Sequence, residues 1–390
     1  MDVNRTVYAL SMTTPDFAPW AGAFARQLQR HTRCAALHQL ELLFECRIAH
    51  WLLAQQDEGP HSRNRHWNLR LVFWTFLWQV AQAGASCREA IRQAQARCRI
   101  NGQAGPADTT SPYCQARASL PLERLDQIHH HLTAQADKSI ASADLWCGRR
   151  VLVADGTTVT APDTPENQQV YPQQSVQRPG CGFPIIRIVA LLSLATGMLV
   201  GWATGNWHHH EVPLLQTLWD YLLPGDVLLA DRGFPPARLA ELYYRRWSME
   251  LTLRHLKITL QMDQLSCKTP ANLEREIRMH FLVHNLVRQL MLEAARRHHA
   301  PLQRLSFAGA LATARRYAEA LLQARSENQR RLLREELFRV LAADRVPDRP
   351  GRREPRAVKR RPKPYPLLMN HRHRFLEIPH QNKYRKISTP

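Results

Sequence analysis

The sequence has eight cysteines but no C-x-x-C pair. Zinc modules and small disulfide scaffolds depend on closely spaced cysteines, so neither class organises this chain. We therefore expect buried thiols in a reducing cytoplasm.

A long uninterrupted apolar run is also missing. The first 20 residues include Asp2 and Arg5 and are unlike a signal peptide. The most apolar stretch, residues 185–203, is broken by Arg187 and by an Ala-Thr-Gly turn sequence. We expect two short buried strands there, and neither export nor a membrane span.

Acidic residues are scarce: 33 Asp and Glu stand against 53 Lys and Arg, which gives a formal net charge of +20. This exceeds what solubility requires, and a large anion, with nucleic acid as the first candidate, is the simplest partner for such a field. The 390 residues, 44% of them apolar, are enough for two or three domains with substantial cores.

The first 140 residues are predicted to be helical. Apolar residues recur at three- and four-residue steps over residues 17–55 and 67–82, as in amphipathic helices. The three histidines at residues 129–131 lie in a later helical run, where neighbouring side chains point in different directions and cannot share one metal ion. We expect them on the surface.

Two helices of this region could form a DNA-reading unit. Ser86 and Glu89 have capping-box spacing, which predicts a helix over residues 87–100, and a second helix begins near Thr110 and ends before Pro121. A helix-turn-helix-like contact with DNA is one interpretation. An ordinary helical bundle is the other, because the connection is longer than the usual tight turn.

The middle of the chain changes to short apolar runs separated by turns. Val-Leu-Val-Ala ends at Asp155 and Val-Leu-Leu-Ala ends at Asp231, each the pattern of a buried strand with a carboxylate at its carboxyl end. Strands over 185–194 and 198–204 and a helix over 212–222 are predicted between them. A single aspartate after a strand is usually a turn former. Two at the ligand-binding edge of a mixed α/β sheet predict a shared site.

A polar helix face follows the second aspartate, on a segment that we call the signature helix. Four residues there are spaced three, four and seven positions apart: Tyr243, Arg246, Glu250 and Lys257. On a helix they lie within roughly 60° of one another. A solvated charged face is one explanation. Alternatively, Glu250 completes a set of three carboxylates, which a pair of divalent ions needs for phosphodiester chemistry.

These motifs resemble those of the DDE transposases of bacterial insertion sequences, of the IS4 type. The resemblance is carried by Val-Leu-Val-Ala-Asp155-Gly-Thr-Thr, by Gly-Asp-Val-Leu-Leu-Ala-Asp231-Arg-Gly-Phe, and by the spacing Y-x2-R-x3-E-x6-K from Tyr243 to Lys257. It continues through Cys267-Lys-Thr-Pro and the following helix, over most of the chain.

The resemblance implies an α/β fold with a ribonuclease-H-like mixed sheet core flanked by helices. It implies that Asp155, Asp231 and Glu250 hold two Mg²⁺ or Mn²⁺ ions and carry out DNA cleavage and strand transfer at transposon ends. The implied partners are transposon ends, target DNA and a second copy of the chain in the DNA complex. The implied location is the cytoplasm, at the nucleoid when DNA is bound.

By the same resemblance, Tyr243, Arg246 and Lys257 contact DNA near the scissile bond. Side-chain chemistry agrees, because arginine grips a phosphate bidentately, lysine supplies a point charge and tyrosine donates a hydroxyl.

The chain departs from the family pattern just before the signature helix. Members of this type carry a further helix, a fifth strand and a long β-rich insertion there, whereas Asp231 and Glu250 are only 19 positions apart here. The connection over residues 232–242 can still span about 30 Å at roughly 3.3 Å per residue, so tether length allows the carboxylates to meet. The shortening removes a strand's packing, and with it rigid placement of the site.

The C-terminus, residues 346–390, is a basic tail. Residues 351–390 contain 12 Lys or Arg against two Glu, and the proline-rich part cannot be helical. A solvated disordered tail is one reading. The other is sequence-independent binding of the phosphate backbone by Arg356, Lys359, Arg360, Arg361 and Lys363.

These patterns divide the chain into a helical DNA-binding region (1–140), a shortened DDE catalytic core (145–298), C-terminal helices (299–345) and the basic tail (346–390). Three functions follow: a transposase, a catalytically impaired DNA-binding remnant of one, and a nuclease of the same fold that does not join strands.

The basic tail makes one measurable prediction. If it binds phosphates, the affinity of the full chain for duplex DNA falls steeply as salt is raised, because each contact releases counterions. Binding titrations at several salt concentrations measure this slope, and a nearly salt-independent affinity would contradict the prediction.

Overall fold

Helices and one four-stranded sheet make up the described part of the computed structural model, which comprises residues 36–54, 66–178, 180–230 and 247–347. The strands are β1 (Val151–Thr160), β2 (Ile185–Ser193), β3 (Leu199–Asn206) and β4 (Val227–Leu229). The N-terminal helices are α1 (Ala36–Phe44), α2 (Leu69–Ala81), α3 (Cys87–Ile100), α4 (Thr110–Ala118) and α5 (Leu122–Asp137). Those that follow are α6 (Pro165–Val170), α7 (Glu211–Gln216), α8 (Trp247–Arg254), α9 (Pro270–Arg297), α10 (Phe307–Gln323) and α11 (Glu327–Ala343).

The sheet is mixed, in the order β3-β2-β1-β4. β1 pairs with β2 and β2 with β3 in antiparallel fashion, whereas β1 and β4 are parallel. The two strands predicted over 185–194 and 198–204 are confirmed as β2 and β3. Between them Gly197 has φ +67°, the left-handed conformation that glycine adopts without a steric cost. The predicted mixed α/β core flanked by helices is confirmed.

The two faces of the sheet are covered unequally. Odd-numbered residues of β1, such as Val153, belong to the large core that also contains the long helices. Even-numbered residues, such as Leu152 and Ala154, belong to a small second cluster with Leu214 and Leu218. This division follows from the alternation of side chains along a strand. The large core therefore lies on the face occupied by α5, α8 and α9.

The 28-residue helix α9 runs through the middle of the large core. Its Asn285 side chain accepts a hydrogen bond from the backbone N–H of Leu199 and donates one to the carbonyl of Leu199, both at 2.9 Å. The same amide lies 3.1 Å from Nε2 of His129 on α5. One side chain thus joins the helical N-terminal part, the central helix and strand β3.

The prediction that the histidines at 129–131 lie on the surface is wrong for His129, which is only 1% exposed. Its ring packs edge-on against Trp202 of β3, with centroids 4.8 Å apart. Burial lowers the pKa of His129 to about 3. His130 is exposed and His131 is half-buried.

The N-terminal helices agree with the sequence pattern except at the end of α1. α3 spans the predicted residues 87–100, and Ser86 accepts a hydrogen bond from the N–H of Glu89 as an N-cap. The helix predicted over 17–55 instead ends at Phe44 and continues in short 3₁₀ turns. The physical reason is tertiary: Arg47 forms a 2.6 Å ion pair with Glu293 of α9. Residues 17–35 and residue 55 lie outside the described residues.

The helix predicted over 212–222 is also too long. α7 ends at Gln216, and Trp219–Tyr221 form a separate 3₁₀ turn. Arg150 competes with helical bonding here, because its guanidinium donates to the carbonyl of Tyr221 at 2.9 Å and pairs with Asp226 at 2.6 Å. α9 is the helix expected after Cys267-Lys-Thr-Pro, and α10 and α11 lie in the region 299–345 that was predicted to be helical.

The thiols are less uniformly buried than predicted: Cys98, Cys181 and Cys267 are buried, but Cys46 and Cys147 are exposed. Within the ranges that the structure describes, no helix has both the length and the apolar character needed to cross a membrane.

A buried ion pair fixes α3 to α1. Glu41, only 2% exposed, accepts hydrogen bonds from Arg97 at 2.6 and 2.9 Å and from Arg70 at 2.7 Å. Glu41→Gln should lower the free energy of unfolding by about 3 kcal/mol, because a buried guanidinium is left without its counter-ion. Urea titration measures the change. Glu336→Gln, which removes an exposed ion pair on α11, is the control and should have no measurable effect; an equal loss in both variants would contradict the prediction.

Candidate active site

Asp155 lies in the middle of β1, not at its end. The sequence predicted that the strand stops at Ala154, but pairing with β2 continues from Leu152 to Thr160. In that ladder Asp155 is opposite Ala190, which in turn is opposite Trp202 of β3. Directly opposite residues share a face, so Asp155 points to the side of the large core. Its carboxylate is half-buried and accepts a 2.8 Å hydrogen bond from the N–H of Gly156.

The described part of the signature helix packs against β1. Met249, Leu253 and Leu256 are buried in the large core at four- and three-residue spacing. This apolar stripe is what fixes α8 on the sheet. Glu250, next to Met249, is half-buried in the first described turn. The helix that carries Glu250 therefore lies against the strand that carries Asp155.

The single α-helical face predicted from Tyr243 to Lys257 is wrong at its C-terminal end. α8 ends at Arg254, and residues His255–Thr259 form a π-helical turn. In this turn the N–H of Leu260 donates to the carbonyl of His255 at 3.0 Å. The wider turn changes the direction of Lys257 relative to that of an ideal α-helix.

Lys257 is bonded to β1. Its ammonium donates to the carbonyl of Thr158 at 2.9 Å and lies 3.4 Å from Oγ1 of Thr157. It also forms a 3.3 Å ion pair with Asp263. Thr157 is two residues from Asp155 and so lies on the same face of the strand. The end of the signature segment is thus attached beside the candidate catalytic aspartate.

A stack of three rings holds the other side of the π turn. The rings of His255 and His284 lie parallel to Phe307 of α10, with centroids 4.6 and 5.0 Å away. Burial, helped by the positive charges of Arg288 and Arg254, lowers the pKa of His255 to about 4. A neutral imidazole is therefore the form that suits this packing.

Glu211 lies over the opposite face of β1, a contact that the sequence analysis missed. A methyl group at Gly156 would lie 2.5 Å from the carboxyl carbon of Glu211. A glycine inside a strand often marks such a close approach, and this signal was available in the sequence. Three histidines, residues 208–210, precede Glu211 at a strand-to-helix junction, a position that predicts a cap or loop role, with His210 the best candidate for an auxiliary site role. His210 is the N-cap residue of α7, without a side-chain cap bond.

In the structure Asp155 lies on β1, and Lys257 is hydrogen-bonded to the same strand. Glu250 lies on a helix that packs against β1. The other predicted site residues lie outside the described residues: Asp231, Tyr243, Arg246, Arg356, Lys359, Arg360, Arg361 and Lys363. Among the described residues, no group of three His, Cys, Asp or Glu side chains is placed to hold a metal ion. The set of three carboxylates stays a prediction.

Two comparisons with known proteins agree with the sequence motifs. Residues 234–286 match the model of the family "Transposase DDE domain". The chain is also similar to the transposase InsG of insertion sequence element IS4 from Escherichia coli K12. The two are 23% identical over 388 positions, which include 76% of this chain and 87% of the relative. The alignment has 388 positions, but only 76% of the 390 residues of this chain are in it. The aligned part of the relative therefore contains residues that have no counterpart in this chain.

The buried histidine of the π turn predicts a pH dependence. The folded-state pKa of His255, about 4, lies below the ordinary value of about 6.5, so the unfolded chain binds the proton more tightly. The stability gained from the neutral ring is complete above about pH 6.5 and is lost as the pH falls toward 4. Urea titrations over this range should show a smaller loss for His255→Phe, which keeps an aromatic ring against Phe307. Parallel curves for variant and wild type would contradict the assignment.

Proposed function

We propose that this chain, which belongs to the DDE transposases of the IS4 insertion-sequence type, cleaves DNA at transposon ends and joins the freed end to a target. DNA is the partner that the family implies, and divalent metal ions are its general cofactors. The observation that carries the proposal for this chain is the parallel register of β1 and β4.

That register supports a shared aspartate site. Val151 is opposite Val227, and Val153 is opposite Leu229. The same offset, continued for two residues, would pair Asp155 with Asp231. Paired residues of parallel strands face the same side, so both carboxylates would point toward the layer that contains α8. We assign Asp231 to this position as part of the proposal.

Glu250 is proposed as the third carboxylate. Its helix packs on β1 through the apolar stripe of α8, and the attachment of Lys257 to Thr158 fixes the end of the same segment. Lys257 therefore has a positioning role, and its partly exposed ammonium can also meet a phosphate. Tyr243 and Arg246, earlier on the signature helix, are proposed to contact the DNA near the scissile bond.

The donor set fits a hard divalent cation. Carboxylate oxygens are the ligands that Mg²⁺ and Mn²⁺ prefer, and we propose that Asp155, Asp231 and Glu250 hold two such ions. When bound, the ions would activate water and stabilise the leaving 3′-oxygen. The protein's contribution is to hold the carboxylates on a paired strand and a packed helix, and to grip the phosphates on either side of the reacting bond with cationic side chains.

The remaining assignments belong to the same proposal. Residues 1–140 would bind the transposon end, 145–298 would form the catalytic core, 299–345 would support it, and the tail from 346 to 390 would bind phosphates without sequence specificity. A second copy would join in the DNA complex, because an element has two ends to bring together. The chain would act in the cytoplasm, at the nucleoid.

A catalytically impaired DNA-binding remnant is the second candidate. Two observations favour it: only 19 positions separate Asp231 from Glu250, and the alignment with the IS4 relative includes residues that this chain lacks. A site that has lost a supporting strand binds metal less rigidly, and metal chemistry depends on placement within about 0.5 Å.

A cleavage assay with purified full-length chain decides between the two. Wild-type protein with Mg²⁺ or Mn²⁺ should nick DNA that contains the transposon end, and Asp155→Asn should abolish nicking while leaving DNA affinity unchanged. Asp163→Asn, a substitution in the loop after β1, is the matched control and should nick normally. DNA binding without nicking by the wild type would establish the remnant. Nicking without transfer to a target would indicate a nuclease.

A further inference from the structure

We propose that Arg88, Arg92 and Arg99 on α3 form a phosphate-binding surface for the DNA duplex that flanks the scissile bond. We call these three residues the arginine track. The inference rests on the proposed function, because that function supplies DNA as the partner. It adds a specific contact surface that the charge of the chain as a whole does not identify.

The three arginines form one line along α3. They are separated by four and seven residues, so on an α-helix they lie within about 40° of one another. The line is about 17 Å long at 1.5 Å per residue. All three side chains are exposed. A duplex carries one phosphate per about 3.4 Å on each strand, so a line of this length spans several successive phosphates.

The helix beneath the track is held rigidly. Ala90, Ile91 and Ala94 are buried on the other side of α3, and the 2.6 Å pair of Arg97 with Glu41 fixes its C-terminal half. Rigid placement of the backbone matters because only the side chains then lose freedom when they bind phosphates. The arginine track is therefore presented by a fixed element of the fold.

The cations of the track differ from the exposed arginines of α11. Arg330, Arg334 and Arg339 each pair with a glutamate of their own helix. By contrast, no ion pair joins Arg88, Arg92 or Arg99 to another residue of the described ranges. The arginines of α11 are thus neutralised by glutamates of the same helix, as on an ordinary solvated helix. The positive charges of the arginine track are not neutralised in this way and can bind a partner.

The surroundings of the track are mostly polar. Gln95 lies on the same face and donates to Oδ1 of Asp108 at 2.7 Å and to the carbonyl of Pro106 at 2.9 Å. Asp108 and Glu89, the latter on the same helix, bring two carboxylates near three guanidinium groups, so the net charge of this surface stays positive. Gln95 can also offer a hydrogen bond to a sugar or a phosphate.

The start of α3 lies beside the segment that follows the π turn. Gly84, two residues before the N-cap, has φ +87°, and a methyl group on it would lie 3.0 Å from Oε1 of Gln261. Gln261 follows the π turn that contains Lys257. The same segment is bonded to the end of β1, where the N–H of Thr160 donates to the carbonyl of Asp263 at 3.0 Å. DNA bound at Lys257 would have the arginine track beside it.

The test compares salt-dependent DNA binding of full-length variants in EDTA. Arg88→Gln, Arg92→Gln and Arg99→Gln are combined in a track variant. Arg330→Gln, Arg334→Gln and Arg339→Gln are combined in a control that loses the same net charge from α11. Fluorescence anisotropy with a labelled duplex, between about 50 and 200 mM salt, gives the slope of log affinity against log salt. The basic tail is present in every protein and cancels in the comparison.

The track variant should lose about 3 from the magnitude of this slope, about one per phosphate contact, and the control should lose almost nothing. Replacing the three residues by lysine instead should keep the slope, which shows that charge rather than folding is responsible. Equal losses in the track and control variants, or no loss in the track variant, would overturn the inference.

The binding assay is independent of the cleavage assay. If the wild type binds DNA through the track but never nicks it, the proposed catalysis fails and the inference stands. If the wild type nicks DNA while the track variant binds with an unchanged slope, the inference fails and the proposed function stands.

Discussion

The hydrogen bonds of Asn285 to the backbone of Leu199 are the contact on which the arrangement of the described residues depends. They satisfy both backbone groups of a residue at the start of an edge strand, where ladder partners are on one side only. Because Asn285 is fully buried, its amide has no water to replace a lost partner. His129 meets the same amide, so the N-terminal helices, the central helix and the sheet are oriented by one group.

The two faces of strand β1 lie in different surroundings. The face that carries Asp155 and Thr157 is directed toward the layer that contains the signature helix. The other, at Gly156, is approached so closely by Glu211 that a side chain would collide with it. The alternation of a strand thus sets a carboxylate on the side where helix α8 can complete a site. Lys257, bonded to Thr158, ties that helix to the same strand.

The shortened connection before the signature helix changes how this site must be held. In a chain with a further strand, the sheet itself would carry the helix into place. Here the described contacts that hold the segment are its apolar stripe, the bonds of Lys257 and the stack of His255 on Phe307. These are tertiary contacts with α10 and β1, so the C-terminal helix α10 helps to hold the segment that follows Glu250. Gly84, just before α3, lies against Gln261 in the segment that follows the π turn.

Local patterns in the sequence determined much of this protein. The capping box at Ser86 predicted the bounds of α3, and apolar runs predicted β2, β3 and β4. The three motifs indicated the family. Such features are readable in the sequence because they depend on neighbours within a few residues. The tertiary structure decided what depends on distant partners. Pairing with β2 extends β1 past Asp155. Packing against α9 and β3 buries His129. The ammonium of Lys257 is hydrogen-bonded to β1. No local pattern contains the residue on the other side of such a contact, so only the folded chain could reveal it.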